Sequence, residues 1–137
     1  MAAETVILTL KIAVIAVTAL FLGSLTALWR GRYVLHGRIN TLFFVLTLLA
    51  LLGLEVVARI LSPDMFSAFL DAHHAWPAMY THLSFSLPAA AVLPFMLWTG
   101  RSHRRKIHIA LGIVFAVLWT GTFITGVFFL PHASPMP

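Results

Sequence analysis

Four long apolar runs constrain this chain more than any other feature. They cover residues 6–29, 39–61, 78–98 and 107–130, each 21 to 24 residues long. At 1.5 Å of rise per residue, about 20 helical residues cross a hydrocarbon core of roughly 30 Å. No water inside lipid satisfies backbone N–H and C=O groups, so a crossing segment closes its hydrogen bonds within itself as a helix. β-branched residues in these runs therefore do not argue for strands. The expected fold is all-α: one integral membrane domain over residues 1–137, built as a four-helix bundle.

Composition supports lipid as the solvent. The chain is 61% hydrophobic and 9% charged, whereas soluble domains carry about 25% charged residues. That excludes most soluble enzymes, nucleic-acid binders and disordered chains. Cysteine is absent, which removes disulfides, iron–sulfur clusters and thiolate zinc sites.

The net charge of +5 would point to nucleic acid on a soluble chain. Here its placement matters more. Seven of the nine basic residues form two clusters, Arg30, Arg32, Arg38 and Arg101, Arg104, Arg105, Lys106. Basic short loops stay in the cytoplasm, so both termini and the loop holding Asp64 and Asp71 are expected outside. A multi-pass membrane protein is the localisation this pattern implies. Expected partners are membrane lipids and a larger membrane complex, not nucleic acid.

Smaller features fill in the plan. The first run is expected to be an uncleaved span, since Glu4 stands where a signal peptide carries positive charge. Lys11 is expected to snorkel outward. Ser62-Pro63-Asp64 reads as the start of a short interfacial helix, with Ser62 as cap and Pro63 in the first turn. Trp76 and Tyr80 outside, and Trp29, Tyr33 and Trp98 inside, read as interface anchors. Pro88 and Pro94 should bend the third span. Gly121 and Gly126 suit close helix contact. No sequence repeat is visible.

Ionisable residues inside spans are costly and mark partners or cavities. The second span carries His36, Asn40, Thr47, Glu55 and Arg59, linked by steps of three and four into one slowly drifting stripe. Glu55 and Arg59 form either a self-neutralising ion pair at i,i+4 or a tuned metal ligand. Two histidine groups follow from depth. On the inner side His36 and His108 each open a span, with His103 in the adjoining turn. On the outer side His82, His132 and Glu55 can converge as metal ligands, with His73 or His74 as an additional arm. Imidazole with carboxylate suits copper, zinc or iron, and two histidines on neighbouring helices suit a haem. The residues alone thus leave copper, zinc, iron and haem open as cofactors. No nucleophile–base pair or phosphate loop is present, so catalysis is not the leading expectation.

The order of these features resembles a known family. The basic turn Arg30-Gly31-Arg32 leads to His36, Thr81-His82 opens the third span, and Arg101-Ser102-His103-Arg104-Arg105-Lys106 precedes the fourth. Thr125-Gly126-Val127 then leads to Phe128-Phe129-Leu130-Pro131-His132. Over about residues 23–132 this is similar to the DUF420 family of small four-helix bacterial membrane proteins, some of them cytochrome c oxidase assembly factors of the CtaM/YozB type. His36, His82, His103 and His132 match the family's histidines. The family's histidine near the outer end of the second span is replaced by Ala58-Arg59, with Glu55 one turn earlier. Either Glu55 substitutes for that imidazole or the outer site is not shared. The resemblance implies an accessory role in maturing a haem–copper oxidase, through haem or copper delivery. The residues alone equally allow a small haem- or metal-binding redox protein, or a structural subunit of a respiratory or photosynthetic complex.

Overall fold

The computed structural model describes residues 3–131, and every described element is helical. Helix α1 covers Ala3–Trp29, and α2 covers Tyr33–Val56 and continues as a π-helical turn over Val57–Leu61. The short α3 is Met65–Ala72, α4 is Trp76–Arg101, and α5 is Arg105–Ile124, closing in a second π-helical turn over Thr125–Phe129. With their π turns, the four long helices measure 27, 29, 26 and 25 residues, long and apolar enough to cross a membrane.

α1 packs along α2 and α4 along α5, each pair joined by a three-residue basic turn. α2 also meets α4, and α1 meets α5. The side chains at the centre are Val17, Phe21, Phe43, Ala89, Leu93, Met96, Phe115 and Trp119. Phe43 and Phe115 meet edge to face at 5.8 Å and are fully buried. Trp119 lies 4.9 Å from Phe43, and its indole N–H donates to Thr18 Oγ1 on α1 at 3.1 Å. Lipid tails are as apolar as leucine, so burial does not drive helix association. Shape fit and polar links between helices carry it. The outer faces agree, with Ile12, Leu22, Leu52, Ile60, Ile113 and Val117 all exposed.

Both prolines lie within an unbroken α4 on its exposed side. Three local expectations are corrected. First, α3 starts at Met65 with Asp64 at the cap position, not at Pro63 with Ser62 as cap. The Ser62 carbonyl instead accepts the Met65 N–H in a turn at 3.2 Å. Second, α3 turns Phe69 onto Ala3 and Ile7 of α1, so its apolar side is covered by protein.

Third, Lys11 does not snorkel. It is buried, and its ammonium donates to the carbonyls of Val127 at 2.8 Å and Leu130 at 2.6 Å. Pro131, four residues beyond Val127, has no N–H to give the Val127 carbonyl, and Leu130 lies past the end of the π turn. A cation inside a span is least costly on such carbonyls.

Candidate histidine site at the basic end

The basic turns are short because one residue in each takes a left-handed backbone, Gly31 at φ 69° and His103 at φ 55°. Arg32 and Arg104 then stand at the cap positions and send α2 and α5 back into the apolar layer. This places His36 and His108 one turn inside their helices.

His36 belongs to a closed polar ring. Its Nδ1 lies 2.9 Å from the Ser24 carbonyl, which can only accept, so the proton sits on Nδ1. Ser24 Oγ, 2.8 Å from Nδ1, shares that proton and donates its own to Asn40 Oδ1 at 2.6 Å. The Asn40 amide returns a donor to His36 Nε2 at 3.1 Å. Ser24 is fully buried and Asn40 nearly so. Every polar atom in the ring has its partner, as a low-dielectric setting requires.

His108 is held by the same chemistry on the other hairpin. Its Nδ1–H donates to the Met96 carbonyl at 2.9 Å, leaving the Nε2 lone pair outward of that bond. Gly100 makes the room, since a Cβ there would stand 2.9 Å from His108 Cε1. The two imidazole centres lie 6.3 Å apart with planes at 79°. His103 does not join them: it is an exposed turn residue. Arg101 reaches Thr41 at 3.3 Å, and Arg104 lies 5.0 Å over the Trp98 ring.

The outer candidates disperse. His82 Nδ1 lies 3.0 Å from Thr125 Oγ1, whose own proton goes to the Gly121 carbonyl at 2.7 Å, so His82 is the donor. Gly126 admits the ring, as a Cβ there would be 2.9 Å from His82 Cε1. His82 is thus a clamp between α4 and the end of α5. Glu55 pairs with Arg59 on an exposed face. At about 100° per residue Glu55 stands roughly 100° around α2 from His36, so the drift of the stripe carries it out of the core. His74 is an exposed turn residue at φ 48°. His132 lies outside the described residues. Among the described residues no three His, Cys, Asp or Glu side chains gather as a metal site.

Sequence reasoning placed His36 and His108 at one depth but missed Ser24, Met96 and Gly100 as their supports. The signal was there in spacing: each anchor precedes its histidine by 12 residues across a basic turn. No family profile, curated protein or solved structure matches the chain.

Proposed function

We propose that this protein is a non-catalytic accessory or assembly factor of a haem–copper oxidase or a similar membrane redox complex. In this reading it is a four-helix bundle in a bacterial inner membrane, with both basic turns in the cytoplasm and both termini outside. The observation that carries the reading is the His36–His108 pair, two imidazoles from separate hairpins with centres 6.3 Å apart.

Both rings give their Nδ1–H to carbonyl oxygens. That is the support that metal-bound histidines commonly have, because it sets the tautomer and makes Nε2 the ligand atom, although on His36 the Asn40 amide must first turn aside from it. The residues therefore fit a haem iron or a copper ion as cargo. The resemblance of the histidine-bearing turns to the oxidase assembly family supplies the kind of partner. The apolar outer faces of the long helices offer lipid or a partner helix a continuous surface.

Deleting the gene in its host should lower haem–copper oxidase activity and the spectroscopic haem content of the membranes. Restoring the wild-type gene should recover both, and restoring a His36→Ala, His108→Ala double variant should not. Normal oxidase activity and haem content in the deletion strain would end this reading.

A further inference from the structure

Around their basic turns the two hairpins share one register on an offset of 72. The turns show it first. Arg30 N–H donates to Thr26 O at 3.0 Å, and Ser102 N–H to Trp98 O at 2.9 Å. Arg32 N–H donates to Ala27 O at 2.8 Å, and Arg104 N–H to Thr99 O at 3.1 Å. The left-handed residues Gly31 and His103 fall on the same offset. So do the cap residues, Arg32 at φ −86°, ψ 67° and Arg104 at φ −81°, ψ 63°.

In the half of each hairpin's first helix nearest the turn, burial follows the same register. Val17, Phe21, Ser24 and Ala27 are buried on α1, and Ala89, Leu93, Met96 and Thr99 on α4. Helical periodicity accounts for part of that match once the turns coincide, but not for recurring residue types. Arg32, His36, Phe43, Val45 and Leu46 recur as Arg104, His108, Phe115, Val117 and Leu118.

Corresponding residues also touch each other, Phe43 with Phe115 at 5.8 Å and His36 with His108 at 6.3 Å. Self-contact of equivalent residues is the mark of a twofold axis. Two such contacts, two turns apart along the helices, place that axis along the bundle. Both hairpins start from the same end, as in parallel membrane repeats.

We propose that the chain is a tandem duplication of one helical hairpin, and that the dyad between His36 and His108 binds a single cuprous ion through both imidazoles. This rests on the histidine site of the reading above but not on its oxidase partner. Metal–nitrogen bonds of about 2 Å, added to the roughly 1 Å from each ring centre to its nitrogen, call for ring centres about 6 Å apart. The observed 6.3 Å meets that.

Ligand number then selects the ion. Among the described residues no third His, Asp or Glu completes a site. Zinc sites take three or four protein ligands and calcium or magnesium six or more oxygens, whereas two neutral imidazoles suffice for a soft, closed-shell cuprous ion. A haem fits less well, because the Asn40 amide already stands against His36 Nε2. A single ion needs only that amide to turn aside. Gly112, at the position equivalent to Asn40, sets no amide against His108.

The test uses the purified full chain in detergent, without oxygen, titrated with cuprous ion against a chromophoric chelator. One ion per chain is expected. His36→Ala and His108→Ala should each weaken binding by more than about 100-fold and to similar extents. His82→Ala, at an anchored imidazole away from this pair, should leave binding unchanged. No binding, binding insensitive to either inner histidine, or a Soret band from tight haem binding in place of copper would overturn the site.

The duplication has its own readout, independent of folding defects at the histidines. The cysteine-free chain can carry the dyad-related pairs Phe21→Cys with Phe115→Cys, and Leu93→Cys with Phe43→Cys. Both pairs should cross-link to similar extents, and cross-linking of only one would refute the axis. A deletion strain with an oxidase defect whose protein binds no copper would defeat this inference alone. Copper binding with normal oxidase would defeat only the reading above.

Discussion

Replacing Ser24 by alanine tests the polar ring that holds His36. The hydroxyl is 0% exposed, donates to Asn40 Oδ1 at 2.6 Å and accepts from His36 Nδ1 at 2.8 Å, with the His36 carbonyl a more distant acceptor at 3.4 Å. In Ser24→Ala the histidine keeps the Ser24 backbone carbonyl at 2.9 Å, so it is not orphaned. The amide oxygen of Asn40 loses its Ser24 donor. A net hydrogen bond is worth about 1 kcal/mol, and a buried unsatisfied acceptor costs about 1–3 kcal/mol.

Polar contacts between membrane helices run lower, about 0.6 kcal/mol on average, because the unfolded chain in the membrane also finds partners. These bounds give an expected loss of about 1–2 kcal/mol. Asn40→Ala alone should cost a similar amount, as it uncovers the Ser24 hydroxyl and His36 Nε2. If the ring acts as one unit, the double variant costs clearly less than the sum, with a coupling of about 0.5–1.5 kcal/mol. Reversible unfolding in mixed micelles, followed by helical circular dichroism, reads all four corners of the cycle. Strict additivity, or a Ser24→Ala variant as stable as the parent, would refute the closed ring.

Other predictions follow from single contacts. Gly121→Ala should destabilise by about 1–3 kcal/mol, since its Cβ would stand 2.3 Å from the Phe85 ring; thermal unfolding in detergent checks it. His103→Gly should raise stability by about 0.5–1 kcal/mol by relieving a left-handed backbone, whereas Gly31→Val should lower it in the same assay. Thr47→Val should be neutral or stabilising, because the buried Thr47 hydroxyl has no hydrogen-bond partner among the described residues and an apolar isostere removes that penalty; a drop in melting temperature would contradict this.

How much of the molecule was legible depends on which physical rule was in force. The solvent rule is strong, so four apolar runs became four long helices and two Arg-rich segments became their tight turns. Helix ends were less legible: α3 begins two residues after Pro63, because the Ser62 carbonyl closes a turn first. The Glu55–Arg59 pair was legible because both partners lie on one helix four residues apart. Lys11 was not, since its acceptors exist only where the π turn at the end of α5 comes against α1.

The histidines divide in the same way. Position in the sequence alone determined their depth, with His36 and His108 at the basic end and His82 at the other. Which of them share a site depends on azimuth and on the neighbour that stands there, and linear spacing carries no such information. Tertiary structure paired His36 with His108, gave His82 to Thr125, and turned Glu55 away from the core. It also exposed the repeat that identity conceals. A packed position conserves the space between helices, not the letter that fills it, so Ser24 and Met96 anchor equivalent imidazoles with different atoms.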